Sequence, residues 1–208
     1  MNREKLKLAE KMFLSRYPEG FASPEMLEIG KKHKMNKMVK MTQEGLAEDE
    51  FANTDAVLES MRKIVTSSSM VSVFEKPKFR DLLKDLTIDE RDMLADGLKN
   101  SLHGDQKRGF EQMIAVLLPY KLAKWTLLTV CLVYYRPDYE VFIKPTTVKG
   151  IIDFLELEGV KYSPKASYEF YAAYREQMNE MKELVDESLR ESNAAFSGFL
   201  MMSLESRD

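Results

Sequence analysis

The sequence has few of the residues on which metal and redox sites depend. Its 208 residues include one cysteine, Cys131, and two histidines, His33 and His103. Zinc sites need several Cys or His ligands at short spacings, and di-iron helical proteins need a glutamate three residues before a histidine. Neither pattern occurs here, so we expect no metal and no cofactor.

Glycine and proline are also scarce, with nine and seven residues in the chain. An all-β sandwich needs many turns, so this scarcity disfavours one. The glycines do not form the Gly-x-Gly-x-x-Gly or Gly-Lys-Ser/Thr loops that hold phosphates, and the serines at 67–69 lack the Gly-x-Ser-x-Gly frame of a hydrolase nucleophile. With no catalytic signature and no candidate catalytic residue, the sequence favours a non-enzymatic protein.

A long apolar run and a secretory leader are missing as well. The uncharged stretch at the centre, Trp125–Tyr135, has eleven residues, whereas a membrane-spanning helix needs about twenty. The N-terminal residues lack the apolar core of a signal peptide. A single cysteine fits a reducing compartment, and Cys131 lies where a buried side chain is expected. We predict a soluble cytoplasmic protein with no membrane partner.

Amphipathic, helix-forming sequence is abundant. Hydrophobic residues make up 44% of the chain and charged residues 31%, as in a folded soluble domain. Apolar side chains recur at helical spacing in most segments. The sequence therefore predicts an all-α or nearly all-α protein, a single helical domain over residues 1–208 with about eight or nine helices. A subdivision near residues 75–77 is an alternative.

Start signals place the helices of the first half of the chain. Apolar spacing predicts a helix over residues 3–16. Ser23-Pro24, a cap followed by a first-turn proline, begins a helix that extends to about Ala47. Asn53 offers the next start.

Two more start signals follow. Thr87 and Glu90 have the spacing of a capping box, and their helix should end near His103-Gly104 with the glycine in the left-handed conformation. Ser163-Pro164 repeats the Ser-Pro signal. The helix after it should reach Glu191 and be the longest in the chain.

Two segments near the centre stay open between helix and strand, residues 126–135 and 140–143. The first is rich in β-branched and aromatic residues, which also suit a strand. The second is short and apolar. Thr146 or Thr147 then caps a helix that ends at Gly159.

Lysine is concentrated in residues 31–40. This stretch holds five lysines, and no acid lies between Glu28 and Glu44. If the stretch is helical, Lys34, Lys37 and Lys40 share one face, which could bind the phosphates of a nucleic acid. The alternative is an ordinary solvated face that favours solubility. The candidate nucleic-acid-binding residues are Lys34, Lys37 and Lys40.

A second polar feature lies between the central apolar stretch and the next helix. A helix N-terminus with cationic side chains nearby can bind an anion. The alternative is a purely structural connection in which prolines set two turns. The candidate anion-binding residues are Arg136, Lys144, Thr146, Thr147 and Lys149.

The same region resembles a segment of uncharacterised bacterial proteins, in which an aromatic-rich helix is followed by Pro-Asp and by Phe-x-Lys-Pro-Thr. The matching residues are Pro137-Asp138, Phe142-Ile143-Lys144-Pro145-Thr146, Tyr162-Ser163-Pro164 and Tyr168-Glu169-Phe170-Tyr171. The resemblance covers about residues 125–204. It implies a grouping with those proteins and no activity or catalytic residue.

Three hypotheses of function follow. The first is a non-enzymatic binding or adaptor protein, whose partner is another protein or a second copy of the chain; fourteen methionines supply adaptable apolar surface for it. The second is a nucleic-acid-associated protein that uses the lysines of residues 31–40. The third is an enzyme with a deep pocket near residues 136–149, lined by Tyr134, Tyr135 and Lys144.

Overall fold

The computed structural model describes residues 1–205, and within them the chain forms eleven α-helices, three short 3-10 helices and no strand. The α-helices are α1 (Arg3–Arg16), α2 (Pro24–Lys32), α3 (Met35–Gly45), α4 (Thr54–Ser67), α5 (Glu75–Asp85), α6 (Ile88–His103), α7 (Gln106–Leu117), α8 (Trp125–Tyr135), α9 (Pro145–Leu155), α10 (Tyr168–Glu183) and α11 (Asn193–Glu205). The 3-10 helices are Gly20–Ala22, Glu48–Ala52 and Glu187–Leu189. The all-α class is confirmed, and the expected number of helices is too low.

Helix α8 lies at the centre of the core. Every residue from Trp125 to Tyr134 is buried, and the helix packs against α3, α4, α6 and α7. A helix that is apolar on all sides must be surrounded, which explains why strand-favouring residues are accommodated here in a helix. Cys131 is buried as expected, and burial raises the pKa of its thiol to about 12.

Among the described helices, none combines the length and the apolar content needed to cross a bilayer. The buried apolar side chains instead form one connected core that includes residues from every α-helix except α2. Phe196, Phe199 and Leu200 of α11 are part of it, which ties the C-terminal helix to the rest of the structure.

The predicted helix from Ser23-Pro24 to Ala47 is two helices. The start at Pro24 is confirmed, but α2 ends at Lys32 and α3 begins at Met35, with Lys34 in the left-handed conformation at φ 53°. The break lets α3 turn inward and bury Met38, whereas α2 has no buried residue. Because the break follows from this packing, the spacing of lysines and methionines could not reveal it.

Two helix starts predicted from capping patterns are confirmed. The Asn53 side chain accepts a hydrogen bond from the Ala56 amide at 3.1 Å, and Thr87 and Glu90 form the reciprocal bonds of a capping box. The end of α6 at His103 is also as predicted. Gly104, however, is not left-handed, since its φ is −140°, and the chain passes directly into α7.

The helix expected to start at Ser163-Pro164 is shorter at both ends. Helix α10 begins at Tyr168, where the Ser167 side chain accepts from the Phe170 amide, and it ends at Glu183. The Ser163 carbonyl instead accepts a hydrogen bond from the distant Trp125 indole at 2.8 Å. With this contact in place, the residues between Ser163 and α10 form a non-helical connection instead of the first turn of the helix.

Residues 140–143 are neither helix nor strand, and α9 follows them directly. Val141, Phe142 and Ile143 are buried, and the Ile143 amide donates to the Thr129 hydroxyl on α8 at 3.1 Å. Helix α9 starts at Pro145, before either candidate threonine cap, and it ends at Leu155 instead of Gly159. Glu156, directly after the helix, takes the left-handed conformation at φ 51°.

Candidate functional site

Residues 24–40, which we call the α2–α3 elbow, carry the lysines singled out in the sequence. Lys34 precedes the first turn of α3, so it does not share a regular helical face with Lys37 and Lys40. Lys31 pairs with Glu28 at 2.7 Å and Lys40 with Glu44 at 3.8 Å. Among the described residues, no carboxylate oxygen lies within 4.0 Å of Lys32, Lys34 or Lys37. These three exposed cations are available to an external anion.

Apolar side chains also lie exposed on the elbow. Leu27 is 51% exposed and Ile29 is 40% exposed. The main contacts of α2 are with α3 and with the 3-10 helix Gly20–Ala22, and a hydrogen bond of 2.8 Å between His33 Nδ1 and Ser69 Oγ ties the bend to the end of α4. The elbow is therefore a positioned surface of mixed apolar and cationic character.

The five candidate anion-binding residues do not converge. Arg136 donates to the Leu102 carbonyl, Thr147 contacts the Met201 sulfur at 3.8 Å, and the Lys149 amine lies 4.8 Å from the centre of the Tyr162 ring. Lys144 and Thr146 are exposed at the start of α9. Since three of the five side chains engage separate neighbours, the anion site stays a prediction that depends on Lys144 and Thr146.

Two of the three side chains expected to line an enzyme pocket, Tyr134 and Tyr135, are packed against neighbours. Tyr134 is buried and its hydroxyl lies 3.0 Å from Ser68 Oγ, while the Tyr135 ring packs against His103. Val141 and Ile143, in the connection that follows α8, are fully buried as well. Burial raises the pKa of the Tyr134 hydroxyl, which keeps it protonated at neutral pH.

A buried ionic network joins three parts of the fold that sequence analysis did not connect. Glu140 accepts hydrogen bonds from Arg175 Nη1 at 2.9 Å, from the Tyr171 hydroxyl at 2.7 Å and from Gln106 Nε2 at 2.7 Å. The only signal in the sequence was a glutamate at the start of the apolar segment 140–143. Partners 31 to 35 residues away along the chain could not be assigned from it.

This network is suited to holding the fold and is poorly suited to acid–base chemistry. Burial acts to lower the pKa of the Arg175 guanidinium, but the charge of Glu140 outweighs it and the pKa lies above its ordinary value. The guanidinium therefore stays charged, and each carboxylate oxygen of Glu140 already accepts a bond. A general acid or base needs a free position within reach of a substrate proton.

An open groove of about 630 Å³ lies beside the network, between α10 and residues 138–139. Its lining includes Arg175, Lys182 and the ring of Tyr139, with acidic side chains along the rim. The Lys182 amine donates to the Asp138 carbonyl, and burial lowers its pKa. Within residues 1–205 no group of three or more Cys, His, Asp or Glu side chains is placed to hold a metal ion.

Comparison with known protein families, with characterised proteins and with solved structures finds no match to this chain. The resemblance of residues 125–204 to bacterial proteins therefore remains an expectation from the sequence.

Proposed function

We propose that this chain is a non-enzymatic binding protein that contacts a protein partner through the α2–α3 elbow. One observation carries the proposal: α2 has no buried residue, although its sequence is strongly amphipathic. Most helices in folded proteins gain their stability by burying an apolar face. A helix that keeps Leu27 and Ile29 exposed has apolar surface available to a partner.

The charge of the elbow defines the chemistry of that partner. Lys32, Lys34 and Lys37 have no acidic partner in the described chain, and they lie next to the exposed apolar side chains. A complementary surface combines apolar side chains with aspartates or glutamates. The partner is therefore an acidic segment of another protein, and a second copy of this chain is one protein that carries such segments.

Three sets of titratable side chains in the interior are paired, hydrogen-bonded or buried, which supports a non-enzymatic role. Glu140 and Arg175 neutralise each other, Tyr134 bonds to Ser68, and the Cys131 thiol is buried. These are the groups with the most unusual surroundings, which is where catalytic residues are usually found. Each is placed as part of the packed interior.

We also propose a cytoplasmic location and membership of the bacterial group that residues 125–204 resemble. The location is supported by the single buried thiol, which has no disulfide partner. The membership is supported by the Pro-Asp and Phe-x-Lys-Pro-Thr motifs.

A photo-crosslinking amino acid in place of Leu27 tests the elbow. In living cells it should give one discrete adduct, and that adduct should disappear when Lys32 and Lys34 are replaced by Glu. The matched control places the crosslinker at Ile88, which is 78% exposed on another surface. Identical adducts from both positions, or an adduct that persists after charge reversal, would contradict the proposal.

A second candidate function is nucleic-acid binding through the same lysines, favoured because Lys34 and Lys37 make no ion pair within residues 1–205. Anisotropy of labelled oligonucleotides at about 50 and about 200 mM salt should show steeply weakening binding. The triple replacement of Lys34, Lys37 and Lys40 by Glu should abolish it. Replacing Lys11, Lys99 and Lys161, which are exposed elsewhere, changes the net charge equally and should have a small effect.

A further inference from the structure

Three segments that are distant in sequence meet at the N-terminal end of α8. Thr126 Oγ1 donates to Glu75 Oε2 at 2.7 Å, which brings the start of α5 to this end. The Trp125 indole donates to the Ser163 carbonyl at 2.8 Å, which brings in the connection before α10. Tertiary contacts thus gather side chains that no local pattern groups together.

Each of these segments contributes lysine. Lys76 and Lys78 lie in the first turns of α5, Lys124 is the residue before α8, and Lys165 follows Ser163 by two positions. In the described chain none of the four has a carboxylate oxygen within 4.0 Å. Glu75, the acidic residue next to Lys76 in the sequence, accepts a hydrogen bond from the Thr126 hydroxyl. With four lysines against the one carboxylate of Glu75, the surface has a formal excess of positive charge.

An apolar protrusion lies at the edge of this surface. Val73 is 70% exposed and Phe74 is 77% exposed, immediately before α5. The turn that carries them is held by Ser72, whose hydroxyl accepts from the Phe74 amide at 3.2 Å and whose carbonyl accepts from the Glu75 amide at 3.0 Å. An aromatic ring is thus held in water by a fixed turn instead of being packed against the core.

We propose that this surface binds single-stranded nucleic acid. A cationic surface that follows a phosphate backbone, with an aromatic ring on which an unpaired base stacks, is the chemistry of strand binding without sequence preference. Phe74 supplies the ring and the four lysines supply the charge. Lysine without arginine favours phosphate contact over base reading. The surface, which we call the α8 end, comprises Val73, Phe74, Lys76, Lys78, Lys124 and Lys165.

This proposal is independent of the α2–α3 elbow, and one experiment separates the two surfaces. The anisotropy of a labelled oligothymidine is measured with the full chain and with the variants Phe74→Ala and Lys124→Glu/Lys165→Glu. We expect Phe74→Ala to weaken binding by about tenfold, as loss of one stacked base does. If all four lysines contact phosphates, the affinity of the wild-type chain should fall by roughly fifty-fold between about 50 and about 200 mM salt.

Two controls match the variants. The elbow variant Lys34→Glu/Lys37→Glu is measured alongside them to separate the two surfaces. The controls are Ile88→Ala, which truncates an equally exposed apolar side chain on α6, and Lys11→Glu/Lys99→Glu, which makes the same charge change at exposed positions on α1 and α6. Both should retain binding, and a duplex of the same length should bind more weakly than the single strand. Because the altered side chains are exposed, circular dichroism melting should show that all variants fold.

Three results would overturn the proposal. One is the absence of oligothymidine binding at the lower salt, including the case in which the protein binds only anionic phospholipid vesicles. Another is equal affinity of Phe74→Ala and the wild-type chain. The third is loss of binding in the elbow variant but not in Lys124→Glu/Lys165→Glu, which would support the lysines of the elbow instead.

Discussion

At the scale of single residues, Glu140 has the largest structural role among the charged side chains. It is almost fully buried and receives bonds from α7 and α10 at the point where the chain leaves α8. An ion pair taken out of water gains little over an apolar pair, but breaking it leaves an uncompensated charge in the interior. The network is therefore sensitive to loss of either partner.

Replacing Glu140 with Gln should lower the free energy of unfolding by about 3–5 kcal/mol, because Arg175 would remain charged and buried. Chemical denaturation measures this change. The matched control is Glu183→Gln, which breaks the exposed pair with Arg190 and should cost less than about 1 kcal/mol. Similar effects of the two substitutions would show that the network does not stabilise the fold.

Lys182 gives a prediction about pH. Burial lowers the pKa of its amine below the ordinary 10.5, so the unfolded chain binds this proton more tightly than the native chain. Between the two pKa values the free energy of unfolding therefore rises with pH. Relative to a Lys182→Met variant, the wild-type chain should gain stability from about pH 7 to about pH 10, as measured by denaturation at both values.

The comparison with Lys182→Met cancels the contributions of other groups that titrate over this range. The control is Lys99→Met, at an exposed position on α6, which should show no such trend. A constant difference between wild type and Lys182→Met would mean that the amine is not desolvated in the native state.

At the scale of elements, α6 and α7 approach each other more closely than side chains allow. A Cβ atom on Gly109 would lie 2.4 Å from the Gly97 carbonyl oxygen and 2.4 Å from the Ser101 amide nitrogen. Both neighbours are backbone atoms, which cannot move aside without displacing a helix. These two helices therefore pack backbone to backbone at this point.

The substitution Gly109→Ala should destabilise the protein by about 1–3 kcal/mol, the cost of overpacking. Gly30→Ala is the matched control, since a Cβ there has nothing within 4 Å. Removing a glycine from that helix should stabilise it by up to about 1 kcal/mol. Thermal or chemical unfolding of both variants measures the difference, and opposite signs are expected.

Helix limits were predictable where the capping group lies within the same turn. Asn53 and Thr87 cap helices through the amides three residues ahead, so the sequence pattern contains the whole interaction. The Ser163 hydroxyl also bonds locally, accepting from the Lys165 amide at 3.1 Å, but its carbonyl accepts from the distant Trp125 indole of α8 and no helix follows directly. The start of α10 was misplaced for this reason.

At the scale of the whole molecule, burial runs from a fully enclosed α8 to an α2 with no buried residue. Local opening requires little free energy where few apolar contacts are broken. Amide hydrogen exchange should therefore be faster in α2 than in α8.

The amides of α2 should exchange through local opening, at free energies well below that of global unfolding, whereas those of α8 should exchange only when the whole chain unfolds. Exchange followed by mass spectrometry at increasing denaturant measures both. If α2 were protected as strongly as α8 in the isolated protein, the elbow would be part of the core and its role as a docking surface would lose its basis.

Local sequence patterns were sufficient to predict the helical class, the limits of α1 and the starts of α2, α4 and α6. Periodicity and capping depend on neighbours within a turn or two, and those neighbours are visible in the chain. The sequence also singled out the lysines of the elbow, because five of them fall within ten residues.

The break at Lys34, the partners of Glu140 and the assembly of the α8 end depend instead on how the helices pack. Each depends on groups tens of residues apart that packing brings within hydrogen-bonding distance, such as Thr126 with Glu75 and Trp125 with Ser163. Whether Lys124 or Phe74 belongs to one surface with Lys165 is set by how the helices pack around α8, and no local pattern specifies that.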